Sequence, residues 1–312
     1  MLRLAVTGAN GFVGSEVLSL AGRRGVEVVG VVRSEDKAAS IVRLGARPVV
    51  ARLEAEPLAR AFAGAEAVVH LAMIGHEKPG QTFEGVNVEG TRAVVAAARR
   101  AGVPRVVLFS GLGVAHYGMT SRCTNRYFLS KLSAELELLR SDREAVVFRP
   151  SYIVGPGDGL VTGLLADMAA GEVVRVGDGS YRLHPAAVAD AASAALTAAE
   201  APPPGRGAAP RVFDLVGPEP MRFQSFIERV AAAARMAGRK AEFRLREAGV
   251  EEADRAAAAG GFRGMTTDEL DCLLCDEVSD PEPLVRLLGR PLVPADEAVG
   301  RAVRGSGEAS PK

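Results

Sequence analysis

Along the first half of the chain, short apolar runs alternate with longer amphipathic stretches. Leu2–Val6, Val26–Val32, Pro48–Ala51, Ala67–Leu71, Arg105–Phe109 and Ala145–Phe148 are short and rich in valine. Apolar runs of this length suit strands buried on both faces of a parallel sheet. Between them lie helical stretches such as Gly11–Arg24 and Gly90–Ala101, and Gly25 and Gly102 stand just past these two, where a left-handed C-cap residue is expected. Strands alternating with helices of this length predict βαβ units and an α/β fold built on a doubly wound parallel sheet.

The pattern changes after Arg149-Pro150. Gly155-Pro156-Gly157-Asp158-Gly159 is a turn-rich break, followed by helical stretches at Leu160–Ala170 and Val188–Ala199. Ala201–Pro210, with three consecutive prolines, reads as a surface loop, and Arg211–Val216 as a further strand. Thr266-Thr267-Asp268-Glu269 is a capping-box pattern ahead of an apolar helix, and Gly305–Lys312 reads as a disordered tail. There is no internal repeat. The expected organisation is a nucleotide-binding domain over 1–154, to which 187–216 return. A smaller mixed substrate domain is expected from 155–186 and 217–304, with 305–312 as the tail.

Composition narrows the function classes. The chain has 312 residues, 48% hydrophobic and 24% charged, with 38 basic and 38 acidic side chains. Without a basic excess, neither nucleic acid nor an anionic membrane surface is an expected partner. No apolar run approaches the roughly 20 residues that span a bilayer. The apolar start is too short for a signal peptide, and three cysteines are too few for a secreted disulfide framework. A cytoplasmic location is the resulting expectation.

The strongest motif is Thr7-Gly8-Ala9-Asn10-Gly11-Phe12-Val13-Gly14, between a predicted strand and a predicted helix. Gly8 permits the tight turn, Gly11 lets the backbone approach a pyrophosphate, and Gly14 lets helix and strand pack closely. The helix N-terminus favours phosphate through its free N–H groups and its dipole. This is a Rossmann-type dinucleotide site. The end of the second strand selects the cofactor: an NAD site places Asp or Glu there, whereas here Val28–Val32 ends in Arg33-Ser34. Arg33 can pair with a 2′-phosphate and Ser34 can donate to it, so NADP(H) is expected. Glu35 and Asp36 follow directly, and either would serve NAD(H) if the strand ended later.

Tyr127 and Lys131 lie four residues apart, hence on one helix face of a stretch running from Tyr127 to Arg140. An ammonium near a phenol lowers its pKa, so Tyr127 can exchange a proton with a carbonyl or alcohol oxygen. Lys131 can also hold ribose hydroxyls. A core tyrosine beside a snorkelling lysine would give the same spacing.

With these residues in order, the chain resembles the extended or atypical branch of the short-chain dehydrogenase/reductase superfamily, similar to NAD-dependent epimerases and dehydratases. The resemblance runs through the Thr7–Gly14 loop, Val69-His70-Leu71-Ala72, Asn87-Val88-Glu89-Gly90-Thr91, Ser110, the Tyr127/Lys131 pair and Arg149-Pro150-Ser151. It continues through Gly155–Gly159 and His184-Pro185 leading to Val188-Ala189-Asp190. It implies that Leu71, Ala72 and Met73 line the ribose and pyrophosphate, that Pro150, Tyr152 and Ile153 meet the nicotinamide end, and that Asn87 belongs to the cofactor site. Leu53 would lie near the adenine, although Arg52 replaces the family's usual Asp before it. The resemblance further implies an oxidoreductase or nucleotide-sugar epimerase-type enzyme, with Tyr127, Lys131 and Ser110 catalytic. Its substrate would be a nucleotide sugar or another small carbonyl compound, and a homodimer is in keeping with it.

One departure carries weight. The family's catalytic Ser or Thr falls about two residues after Ser110, where this chain has Leu112. Thr120, Ser121 and Thr124 are the nearby hydroxyls that could substitute. In this the chain is similar to atypical members related to the 39-kDa accessory subunit of respiratory complex I. Those bind NADPH, which makes a non-catalytic structural or redox-sensing role the alternative. Smaller signals remain. Cys272 and Cys275 form a CxxC without the further ligands zinc needs, so no metal is expected, and core packing or a redox pair would explain them. Cys123 and His184 can line the site or pack, and Arg122 and Arg126 can grip a substrate anion or face solvent.

Overall fold

The computed structural model describes residues 2–201, 211–260, 262 and 265–306. Residues 202–210 and 307–312, expected as most of a loop and a tail, lie outside the described residues. Six strands carry the first half: β1 (Arg3–Thr7), β2 (Glu27–Val32), β3 (Arg47–Val50), β4 (Ala67–His70), β5 (Arg105–Phe109) and β6 (Glu144–Pro150). With Arg211–Leu215 they form one seven-stranded sheet in the order Arg211–Leu215, β6, β5, β4, β1, β2, β3. Every pairing in it is parallel. β1, β4 and β5 are buried along nearly their whole length, as expected of valine runs covered on both faces. This is the doubly wound α/β fold expected from the alternation.

The helices follow the same logic. In chain order they are α1 (Phe12–Arg23), α2 (Glu35–Val42), α3 (Ala55–Phe62), α4 (Glu89–Arg100), α5 (Arg126–Leu139) and α6 (Gly159–Ala170). They continue with α7 (Val188–Glu200), α8 (Phe223–Met236), α9 (Val250–Ala258), α10 (Thr267–Leu274), α11 (Glu282–Leu288) and α12 (Ala295–Gly305). Gly25 and Gly102 adopt φ of 68° and 72°, the left-handed conformation that ends α1 and α4. Asn125 caps α5 by accepting from the Phe128 N–H at 2.9 Å. Thr266 and Glu269 cap α10 reciprocally.

The chain crosses between two lobes more than once. The alanine-rich α7 is buried over most of its length and packs on the first core with α1. Leu284 and Leu292 also join that core, so the segment around α11 returns to the sheet as well. A second core gathers α6, α8 and α12, and a smaller one holds Val176, Ala248, Ala253 and Leu270. The parallel pair Glu172–Val176 with Arg244–Ala248 belongs to this second lobe, and Val174 and Val176 line the cavity.

Close approach dictates the β1–α1 loop. Gly8 has φ +67°, and a Cβ there would stand 2.7 Å from the Ala72 nitrogen. At Gly14 a Cβ would stand 2.3 Å from the Gly8 carbonyl oxygen, which is backbone and cannot swing aside. Gly14→Ala is therefore expected to cost about 1–3 kcal/mol by overpacking. Urea unfolding of variant and wild type checks this; an unchanged midpoint would mean the loop can relax.

Candidate active site

The β1–α1 loop forms a cradle without side chains. Gly11 closes a turn onto the Gly8 carbonyl at 2.9 Å and starts α1 with no side-chain cap. The first-turn N–H groups after it are therefore free to meet an anion. Leu71 and Ala72 lie directly against Gly8, so the segment after β4 forms the neighbouring wall. Phe12 reaches the other lobe, its ring lying near Gly155 and Val188. A dinucleotide pyrophosphate fits this cradle.

A buried chain of polar groups runs from that cradle to α5. The Thr7 hydroxyl meets His70 Nδ1 at 2.6 Å, and His70 Nε2 meets the Thr91 hydroxyl at 3.1 Å. Thr91 donates its single hydrogen to the Asn87 carbonyl at 2.6 Å. His70 Nε2 must then carry the ring proton, and Nδ1 accepts from Thr7. Burial, with the Lys131 charge adding, lowers the His70 pKa to about 3, so the ring is neutral at physiological pH. Asn87 donates to Ser130 Oγ at 3.0 Å and exchanges hydrogen bonds with both backbone groups of Ile74. Ser130 in turn donates to the Tyr127 carbonyl at 2.7 Å. Thr7 and Asn87 thus spend their side chains inside the protein, where they hold the walls of the cradle.

At the end of β2, Arg33 is exposed and donates to Gln81 Oε1 at 2.6 Å. It forms no ion pair among the described residues. Ser34 starts α2, and its hydroxyl lowers the Asp36 pKa by bonding the carboxylate. Glu35 and Asp36 sit in the first turn of that helix, past the strand end. Leu53 lies under α4, where a Cβ on Gly90 would stand 2.7 Å from its Cδ1.

Between the lobes is a cavity of about 530 Å³. Tyr127, Ser110 and Pro150 enter it from the sheet side, and Tyr152, Leu164 and Phe223 from the second lobe. Tyr127 is held beside Phe83 and Phe128, with ring centroids 5.8 and 5.4 Å away. Lys131 Nζ sits 5.5 Å from the Tyr127 ring centroid and 3.4 Å from the Phe109 carbonyl oxygen. Burial lowers the Lys131 pKa to about 8. Burial pushes Tyr127 upward, and Cys272 and Glu277 add to the rise, in the direction opposite to the lowering expected from the ammonium.

The Ser110 hydroxyl is buried on the cavity wall and has no hydrogen-bond partner among the described residues. Leu112 is fully buried at the start of a 3₁₀ turn (Leu112–His116) and offers no polar atom. Thr120, Ser121 and Thr124 are exposed and do not line the cavity. The Tyr152 hydroxyl donates to Asp158 at 2.9 Å and accepts from the Leu160 N–H, which ties it to the start of α6. Ile153 packs on the sheet core and pairs with Ala186.

The remaining signals resolve as ion pairs and packing, some of them between the lobes. Arg122 bridges Asp254 and Asp271, each at 2.7 Å, and Arg126 pairs with Glu77. The two CxxC cysteines do not meet one partner: Cys275 Sγ lies 3.1 Å from Cys123 Sγ, while Cys272 lines the cavity. His184 is buried, its Nδ1 accepting from the Ser279 N–H at 3.4 Å. Sequence reasoning missed Glu277. In the run Asp276-Glu277 it reads as a solvated acid, yet it is 8% exposed and lines the cavity.

A parallel sheet with a glycine-cradled helix N-terminus and a tyrosine-bearing cavity at its edge defines a dinucleotide-binding enzyme of the Rossmann class. The model of the NAD dependent epimerase/dehydratase family matches residues 4–215, and the chain belongs to that family. It is 31% identical over 243 residues to 4-hydroxy-2-methyl-3-oxo-4-farnesyl-3,4-dihydroquinoline-1-oxide ketoreductase of Stigmatella aurantiaca, covering 72% of this chain and 71% of the relative. It is 29% identical over 253 residues to 2-alkyl-3-oxoalkanoate reductase of Stenotrophomonas maltophilia, covering 74% and 76%. Among solved structures, MoeE5 in complex with UDP-glucose and NAD shares the fold, with a TM-score of 0.74 at 20% identity over 98% of this chain and 99% of that one. The chain is therefore an enzyme of the oxidoreductase or epimerase type. Among the described residues no helix is long and apolar enough to cross a membrane.

Burial raises the Glu277 pKa from 4.5 to about 7. The folded state then holds this proton more tightly than the unfolded state does. Stability is lost as pH rises through this window, by about 3 kcal/mol in all. Glu277→Gln is expected to remove that loss, so it should gain on wild type between pH 4.5 and pH 8. Urea midpoints at the two pH values check it; an equal difference at both would mean the carboxyl is solvated.

Proposed function

We propose that this protein reduces a ketone carried on a long apolar chain, with NADPH as the hydride source. The observation that carries this reading is the character of the cavity. Its walls are mostly aliphatic and aromatic, and among the described residues neither Arg nor Lys lines it. The charged side chains that do are Glu269 and Glu277. A nucleotide sugar brings a diphosphate, which calls for Arg or Lys partners that the described walls do not supply. Arg122, one of the arginines before α5, is occupied by two aspartates. The two relatives named above reduce ketones on farnesyl- or alkyl-bearing molecules, in keeping with an apolar substrate.

Gly8, Asn10, Gly11, Phe12, Val13 and Gly14 would hold the pyrophosphate of the cofactor over the glycine loop, with Leu71, Ala72 and Met73 beside it. When bound, the reduced nicotinamide supplies a hydride to the substrate's carbonyl carbon. Tyr127 gives its phenolic proton to the carbonyl oxygen. The ammonium of Lys131 lies beside the ring to balance the phenolate so formed. Ser110, whose buried hydroxyl on the cavity wall has no partner among the described residues, bonds the same oxygen. Arg33, exposed and without an ion pair among the described residues, takes the 2′-phosphate, which makes NADPH the preferred form over NADH.

Purified protein with NADPH is expected to reduce 2-alkyl-3-oxoalkanoates and to leave UDP-glucose and UDP-glucuronic acid unchanged. Each added methylene should raise kcat/KM about 3–4-fold until the cavity is full, from about 0.8 kcal/mol per buried CH₂. Tyr127→Phe should lower kcat by about 10²–10⁴-fold. Turnover of the nucleotide sugars, or indifference to chain length, would refute the substrate assignment. Arg33→Ala should weaken NADPH binding about 10- to 100-fold, the loss of a charge-assisted contact, and spare NADH. Nicotinamide fluorescence titration reads this, and equal losses for both cofactors would remove Arg33 from the phosphate site.

A further inference from the structure

A ketone being reduced gains negative charge on its oxygen, and a second donor beside the proton-giving phenol stabilises that charge. Leu112 has no polar atom to offer there. The next residue of the same turn is Gly113, whose backbone N–H lies near enough to the Glu277 carboxyl to favour its charged form; Val114 of that turn packs with Cys275, and the Ser151 hydroxyl donates to the Glu277 backbone carbonyl at 3.5 Å. Glu277 lies on the loop after α10, in the other lobe, and shares the cavity wall with Tyr127 and Ser110. Its backbone is fixed by the Glu277 N–H donating to the Arg182 carbonyl at 3.1 Å. Glu277 is thus brought from the other lobe to the cavity wall beside the turn where a side-chain hydroxyl is missing.

We propose that Glu277, as a carboxylic acid, donates a hydrogen bond to the reacting oxygen of the substrate, filling from the C-terminal lobe the place that Leu112 leaves empty. This rests on the reductase reading above. The titratable groups that face Glu277 are Tyr127 from α5 and Cys272 and Cys275 from the end of α10. Glu269 lines the same cavity. None of these is a cation that would favour the carboxylate, and burial holds the carboxyl in its protonated form up to about pH 7. No proton leaves Glu277 in the reaction: the proton that reaches the oxygen is that of Tyr127. Above its pKa, Glu277 becomes an anion facing a developing oxyanion, and turnover should fall.

The test compares wild type, Glu277→Leu and Glu277→Gln, each first shown to be folded by NADPH binding. With an alkyl ketone, Glu277→Leu should lose about 10²-fold in kcat with little change in KM. Glu277→Gln, whose amide can still donate, should recover most of that loss, and the fall of kcat through pH 7 seen in wild type should be absent from it. A readout without turnover is the infrared carbonyl stretch of the ketone bound with oxidised cofactor. It should lie lower in wild type and Glu277→Gln than in Glu277→Leu. A wild type that turns over ketones, with Glu277→Leu unchanged in kcat and in that stretch, would overturn the role of Glu277 alone. Glu277→Gln as impaired as Glu277→Leu would also overturn it, because the carboxylate rather than the acid would then be needed. A wild type that neither binds nor reduces these ketones would overturn the substrate reading and this inference with it.

Discussion

The buried hydrogen-bond chain from Thr7 through His70, Thr91, Asn87 and Ser130 to the Tyr127 carbonyl is the constraint around which the site is arranged. Each member uses its donors and acceptors on another member, and the neutral His70 ring can take only one tautomer. In a low-dielectric interior, losing one group strands its neighbours, at about 1–3 kcal/mol for each unsatisfied partner. The chain joins the end of β1, which feeds the glycine loop, to the helix that carries Tyr127 and Lys131. Cofactor cradle and tyrosine are thereby held at one distance from each other. Asn87 adds a branch to Ile74 and so fixes the wall that follows β4.

Desolvation sets the electrostatics of the cavity. It moves Lys131 down, and Tyr127 and Glu277 up, so that each is biased toward its neutral form. The apolar walls of the cavity are the cause of these shifts. A site built for a diphosphate would need cations on its walls and would pull the carboxyl the other way.

The second lobe is pinned beside Tyr127 by contacts that the spacing of residues could not disclose. Arg122 before α5 clasps Asp254 and Asp271, His76 meets Glu269 at 3.2 Å, and Cys123 packs on Cys275. These contacts carry the segment after α10 onto the 3₁₀ turn that follows β5. Glu277 reaches the site through them.

Local rules were legible in the sequence wherever a residue acts through its own backbone or its near neighbours. The valine runs, the glycine loop, the αL glycines after α1 and α4, the α10 capping box and the Tyr127/Lys131 spacing depend on periodicity, positive φ and short-range geometry. All of these are properties of a dozen residues or fewer. The tertiary structure alone decided which side chains meet across long separations. Asn87 turns out to be a bracket, and Arg122 a clasp with both ends occupied. Lys131 is buried against the Phe109 carbonyl, and the acid Glu277 shares the cavity wall with Tyr127. Tyr127 and Glu277 come to one cavity wall only when the chain folds back on itself, and burial then favours the neutral form of each; no window of sequence contains either fact.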